Sequence, residues 1–344
     1  MFHPTYFKSS FYKYCAENEG FYSAYTKKPT TIAEQVAKLQ SRGLLIDNVS
    51  EASRILTKVS YYHLSPYWKP FCLGNSDDFK PNTKLSRIIE IYRFDKELRE
   101  FLLKHIAPIE VAYKTRFINV LCHSRLSSDS DNTADSFAYL NKDLFSNEKK
   151  WSDSIEKIIK EFNKSKEDYS EHHKNTYPGI MPPLWLVTEF LTLGETNNWV
   201  RNIKSDLLYA DKDARNSITK PFGLSYRNFT SFIMCLTNIR NFCAHQCRVW
   251  DKTINNQPQM PLVPESFLGK NMITTFEVGQ KKGIYNTIVI LAFCLSKIGY
   301  SENFAKELLN IISRYKISPL NMGFPQNWKQ LPIWEKTGQT DYVL

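Results

Sequence analysis

Residues 239–251, IRNFCAHQCRVWD, place Arg240, Asn241 and His245 within six positions of one another. On a helix, Asn241 and His245 form an i,i+4 pair on one face, while Arg240 lies roughly 140° around the axis from His245. The arginine side chain is long enough to bend toward the phosphate that a histidine one turn on would meet. Such a set suits cleavage of RNA without a metal. The imidazole moves a proton to or from the 2′-oxygen or the leaving 5′-oxygen, and the guanidinium binds the non-bridging oxygens as charge builds on them. The same three side chains equally suit a cap or a buried polar layer. The spacing alone decides nothing, because an Arg followed by a His after four to six intervening residues also occurs at Arg99 with His105 and at Arg116 with His123.

The elements that must carry these residues are helices. From Ser225 to about Val249, apolar residues recur at Phe229, Phe232, Ile233, Leu236, Ile239, Phe242 and Cys243, a helical stripe of more than six turns. The segment 84–125 has a similar stripe, Ile88, Ile91, Phe94, Leu98, Phe101 and Leu102, then Ile109, Val111, Tyr113, Phe117 and Leu121. It reads as two long helices broken or kinked near Pro108. Thr30 or Thr31 caps a short helix that stops at Gly43, and a second follows in NVSEASRILTKVSYY. A charged amphipathic helix spans roughly 147–170, one opens near Pro183 and ends at Gly194, and others cover roughly 195–205, 283–298 and 302–314. Residues 1–28 are aromatic and irregular, 127–136 form a polar loop, and the tail SPLNMGFPQNWKQLPIW is an irregular strap. Strand patterns are nearly absent, so the expected class is all-α. The expected organisation is an N-terminal helical and aromatic subdomain (1–83), a helical domain (84–315) with a loop and helical insertion at about 126–180, and an irregular C-terminal tail (316–344).

The totals set the context. A chain of 344 residues, 42% hydrophobic and 14% aromatic, has ample material for a packed core. Its net charge of +10 fits a polyanionic partner such as nucleic acid. Seven cysteines with no C-x-x-C pair suggest neither a zinc ribbon nor a disulfide framework, and a reducing cytoplasm is the expected location. No signal-peptide pattern opens the chain, and its longest apolar run, near TIVILAFCL, falls short of a membrane span.

The letters around the arginine and histidine carry more than their spacing. IRNFCAHQCRVW resembles the R-N-x-x-A-H signature of HEPN-superfamily ribonucleases. Five blocks in order, QVAKLQSRGLLI, VSYYHLSPYWKPF, IYRFDKELREFLLKHIAPIEVAYKTRF, PPLWLVTEFLTLGET and NIRNFCAHQCRVWD, extend the resemblance from about residue 27 to 255. Together they are similar to bacterial Abi-like proteins of the AbiD/AbiF type, which are associated with abortive infection against phage. The resemblance implies a HEPN-type helical bundle in which Arg240 and His245 are the ribonuclease pair and Asn241 orients them. It also implies a homodimer whose two motifs face one RNA and leave 2′,3′-cyclic phosphate ends, with no cofactor, and a small structured RNA as an inhibitory partner. The chain departs from the family block at Lys114, where arginine is common. Lysine supplies a point charge without the bidentate fork.

Other residues are secondary candidates. Glu110 and Glu189 stand among apolar neighbours and suit a carboxylate that holds Arg240 or His245, with an ordinary salt bridge to Lys114 or Arg116 as the alternative. Arg93, Asp95 and Arg99 read as an ion network, and Arg93 and Arg99 also suit RNA contacts. Arg248 suits a phosphate. Trp250 suits a stacked base, or burial in the core. The run YYHLSPYW suits either a stacking platform for RNA or a packed aromatic cluster. His172 and His173 have no third ligand in range, so they read as solvated and no metal is expected. Two functional alternatives to a nuclease stand beside it: a non-cleaving RNA-binding module that grips a cognate small RNA, and a purely structural helical protein.

Overall fold

A computed structural model describes residues 27–128, 134–259, 266–273, 275–276, 281–300 and 303–335. Nearly all of the aromatic N-terminal stretch and residues 129–133 of the polar loop lie outside them. The described chain is 64% helical, with one three-stranded sheet, so the all-α expectation holds. It divides into two compact units, one ending at Ile88 and one beginning at Ile89.

The first unit holds α1 (Ile32–Ser41), α2 (Val49–Lys58) and α3 (Tyr61–Trp68). Thr31 caps α1 in a reciprocal capping box with Glu34, and the side chains of Asn48 and Ser60 cap the next two helices. The aromatic run is a packed cluster: Tyr67 and Trp68 are buried, the Trp68 ring meets Tyr61 at 4.9 Å and Phe79 at 6.4 Å, and Arg42 donates to the Tyr61 hydroxyl at 3.0 Å. Lys69, next to the run, pairs with Asp77. Tyr62 is exposed at the edge of the cluster, its ring 5.9 Å from that of Tyr61. The packed reading therefore replaces the stacking platform.

The frame of the second unit is α4 (Leu85–Cys122), whose first residues precede the division. It runs unbroken through Pro108, against the expected break. A proline in a helix interior costs about 3 kcal/mol. The flanking residues Ile106, Ile109, Tyr113 and Phe117 are each at most 1% exposed. Burying each such side chain contributes about 1.5–3 kcal/mol, so packing outweighs the lost hydrogen bond.

The expected 147–170 helix is two, α5 (Glu148–Lys164) and α6 (Asp168–Thr176), separated at Ser165. The helix expected from Pro183 is only one turn, α7 (Leu184–Val187), followed by a 3-10 turn. Gly194 does not end a helix but lies inside α8 (Leu193–Asn202), which a capping box of Thr192 and Glu195 initiates. The glycine allows a close approach, since a Cβ there would stand 3.1 Å from Thr237 Cγ2 on the next long helix. An antiparallel sheet joins β1 (Ser124–Leu126), β2 (Leu207–Tyr209) and β3 (Lys212–Asp213) in that order, with Ser124 opposite Tyr209 and Leu208 opposite Asp213.

After α9 (Ala214–Thr219) comes α10 (Tyr226–Ala244), capped by Ser225 and burying Phe229, Phe232, Ile233, Cys235, Leu236, Ile239 and Cys243. Its fixed points include Phe222 stacked on Phe229 at 4.4 Å and Asn197, which donates to Thr230 O while accepting from the Tyr113 hydroxyl. Beyond it lie α11 (Phe267–Asn271), α12 (Tyr285–Lys297), α13 (Phe304–Arg314) and α14 (Pro332–Glu335). The described part of the tail is docked: Phe324 and Trp334 are buried with Tyr285, and Trp328 meets both. No helix among the described residues is long and apolar enough to cross a membrane.

Candidate active site

Asn241 lies in the last turn of α10, Arg240 directly precedes that turn, and His245 is the C-cap residue. The helix therefore stops at Ala244, earlier than the expected Val249. His245 leaves the helix at φ −88° and ψ 13° but still donates its N–H to Asn241 O at 2.9 Å, so the i,i+4 relation of the two residues holds. Arg240 is half-buried and donates Nη1 to Asn241 Oδ1 at 3.4 Å. His245 is exposed, and among the described residues its ring has no hydrogen-bond partner. A cation and an exposed imidazole thus share one helix end.

The stop itself is a Schellman turn. Gln246 sits at φ 57°, donating to Cys243 O at 3.2 Å, and Cys247 donates to Phe242 O at 2.8 Å. A left-handed non-glycine residue is strained, and it persists where its surroundings hold it. Here the holding groups come from α4. The Asp95 carboxylate, fully buried, accepts the Val249 N–H at 3.1 Å and the Trp250 N–H at 2.5 Å. Arg99, 2% exposed, pairs with Asp95 and donates its other terminal nitrogen to Gln246 Oε1 at 3.5 Å. Burial, with the Asp95 charge adding to it, pushes the Cys243 thiol up to about 12, so that sulfur is an inert core atom.

Past this turn, Arg248 lies 3.6 Å from Asp251, which is itself at φ 55° and also pairs with Lys281. Lys252 stands over the Phe242 ring at 4.4 Å. Three basic side chains, Arg248, Lys252 and Lys281, thus gather beside the helix end around Asp251 and Phe242.

The remaining expectations sort by burial. Trp250 is 2% exposed, which fits its alternative of burial in the core, and Arg99 is buried in its pair with Asp95, so neither presents an open face to RNA. Arg93 is exposed. Glu110 pairs with Lys114 at 3.5 Å on α4, and Arg116 donates to Ser217 O at 2.9 Å, contacts that do not involve Arg240 or His245. Glu189 is exposed. His173 is not solvated: it is buried beside Phe162, with Nε2 3.2 Å from Ile180 O, whereas His172 is exposed. Among the described residues no group of three or more His, Cys, Asp or Glu is placed to hold a metal. The ion-network reading of Asp95 and Arg99 holds, but its target was not foreseen. The available signal was a charged i,i+4 pair lodged in the apolar stripe of α4.

No curated protein and no solved structure matches the chain. The model of the Abi-like protein family matches residues 54–251, a span that takes in α4, α10 and the turn beyond it. That span is more than half of the 344 residues, and the chain belongs to the Abi-like protein family, which is linked to abortive infection.

Proposed function

We propose that the protein is an endoribonuclease of the HEPN type, acting in defence against phage by cutting RNA without a metal. The observation that supports this reading best is the end of α10, where the half-buried Arg240 stands about one turn from the exposed His245 ring, which has no hydrogen-bond partner among the described residues.

The 2′-oxygen of the RNA attacks the adjacent phosphorus, the bond to the 5′-oxygen breaks, and a 2′,3′-cyclic phosphate and a 5′-hydroxyl remain. The 2′ proton goes to an imidazole and a proton reaches the 5′-oxygen from an imidazolium. Two copies of the chain, paired so that both helix ends face one RNA, supply one histidine for each transfer. Arg240 binds the non-bridging oxygens, whose charge grows in the transition state. Asn241, bonded to Arg240, holds the guanidinium in place. Arg248 and Lys252 bind flanking phosphates, and a small structured RNA seated on the same surface would hold the enzyme inactive.

The test incubates the purified protein, and its His245→Ala form, with labelled total RNA in excess chelator, followed by analysis of the ends. The expected result is cleavage by the wild type alone, leaving 2′,3′-cyclic phosphate. A wild type that binds RNA and does not cut it, even after removal of bound RNA, overturns the nuclease reading in favour of an RNA-binding module.

A further inference from the structure

An imidazole that transfers protons is usually oriented by a second group bonded to its other nitrogen. His245 has no such group among the described residues, and its ring is exposed. What places the ring is therefore the backbone at residue 245, and that backbone is set by how the helix stops. The stop is unusual in being closed by Gln246 at φ 57° where a glycine is the common choice, and a second left-handed residue, Asp251 at φ 55°, follows five positions later. Between them, the N–H groups of Val249 and Trp250 are buried and turn onto a single carboxylate, that of Asp95.

The arrangement has two layers. Asp95 Oδ1 holds the two amides, Asp95 Oδ2 takes Arg99, and Arg99 reaches the side chain of the strained residue next to His245. A buried ion pair adds little to stability that well-packed apolar residues of the same volume would not. Apolar residues cannot, however, accept two amides and reach Gln246 from a fixed point on a 38-residue helix.

We propose that Asp95 and Arg99 are positioning residues of the Arg240/His245 site: by clamping the chain from Gln246 to Trp250 they set the end of α10 and with it the direction of the His245 ring. The inference rests on the nuclease reading for its link to catalysis, and it has a readout that does not.

The experiment compares wild type, Asp95→Asn and His245→Ala, each assayed well below its melting temperature. Asp95→Asn keeps the shape of the carboxylate and loses its charge. Its single-turnover cleavage rate is expected to fall at least tenfold while its RNA affinity stays within threefold of wild type. A rate within twofold of wild type in the folded variant overturns the proposal. In the same proteins carrying labelled histidine, the NMR signal of the His245 ring, assigned by its absence in His245→Ala, is expected to move or broaden in Asp95→Asn. An unmoved ring signal together with exposed, freely exchanging Val249 and Trp250 amides overturns the proposal even if no RNA is cut. Should Asp95→Asn not fold, Arg99→Lys carries the same measurements, because a lysine there can pair with Asp95 without also reaching Gln246. If the wild type fails to cut RNA but its ring signal shifts in the variant, the nuclease reading falls and the clamp stands.

Discussion

Replacing Asp95 with leucine leaves Arg99, 2% exposed, without the carboxylate it pairs with, and leaves the Val249 and Trp250 amides without an acceptor. Breaking a buried pair in this way costs about 3–5 kcal/mol, and each orphaned buried amide costs about 1–3 kcal/mol when counted alone. The three losses share one carboxylate, so they overlap, and about 4–5 kcal/mol is expected for the variant as a whole. In a unit of this size each kcal/mol lowers the melting temperature by about 2–4 °C, so a drop of roughly 8–20 °C follows. The double variant Asp95→Leu/Arg99→Met makes the reasoning sharper. It still orphans the amides but no longer strands a charge, and should be at least ~1.5 kcal/mol more stable than Asp95→Leu alone. Urea unfolding of wild type, both single variants and the double, fitted with a common slope, closes the cycle. An Asp95→Leu chain within 1 kcal/mol of wild type, or a double variant less stable than that single, would refute the account of the clamp.

Arg240→Ala and His245→Ala should each slow cleavage by about 10²–10⁴, and the double variant should be little slower than either, because the two groups act on one phosphate; fully additive losses in single-turnover assays would separate their roles. Trp250→Phe should stay within about 2 kcal/mol of wild type with unchanged RNA affinity, since Nε1 is buried with no partner, whereas Trp250→Ala should lose about 3–5 kcal/mol; an RNA titration in which the folded phenylalanine variant binds weakly would return Trp250 to a stacking role. Burial holds the His105 imidazole below its ordinary 6.5, against the opposing pull of Glu307 at 3.2 Å. A lowered folded pKa means stability that is complete above pH 6.5 and is lost as pH falls toward the folded value. Melting temperatures between pH 7 and 5 should therefore decline more in wild type than in His105→Gln. Glu307, though burial raises it, is held below its ordinary 4.5 by hydrogen bonds from Lys104 and His105, and acts only below that window.

Much of the helical order is legible in the sequence, because apolar stripes at a 3.6-residue period report which faces are buried whatever buries them. The misreadings occur where a local rule is outweighed by something distant or by a second local rule. Pro108 marks a break by propensity, yet four flanking residues at most 1% exposed keep α4 whole. Gly194 marks a stop by the same logic, yet Thr192 and Glu195 start a helix across it, and the T-x-x-E pattern was there to be read. The small sheet has three strands of two or three residues, too short for a period of two to register.

The candidate site divides along the same line. Arg240, Asn241 and His245 are adjacent in sequence, so their chemistry is visible as a string of letters. The clamp joins residues about 150 positions apart, Asp95 with Val249 and Trp250 and Arg99 with Gln246, and no local pattern announces such a pairing. The helix end was misplaced for a related reason. A glycine after the last turn would have signalled the stop, but the chain has glutamine there, and a glutamine stays left-handed at that point only with outside support. The absent glycine and the buried charges on α4 are thus two sides of one device. Where a helix ends against the local code, the contacts that force it to end are where its positional precision comes from. At this helix end that precision falls on His245, whose ring has no hydrogen-bond partner among the described residues to orient it.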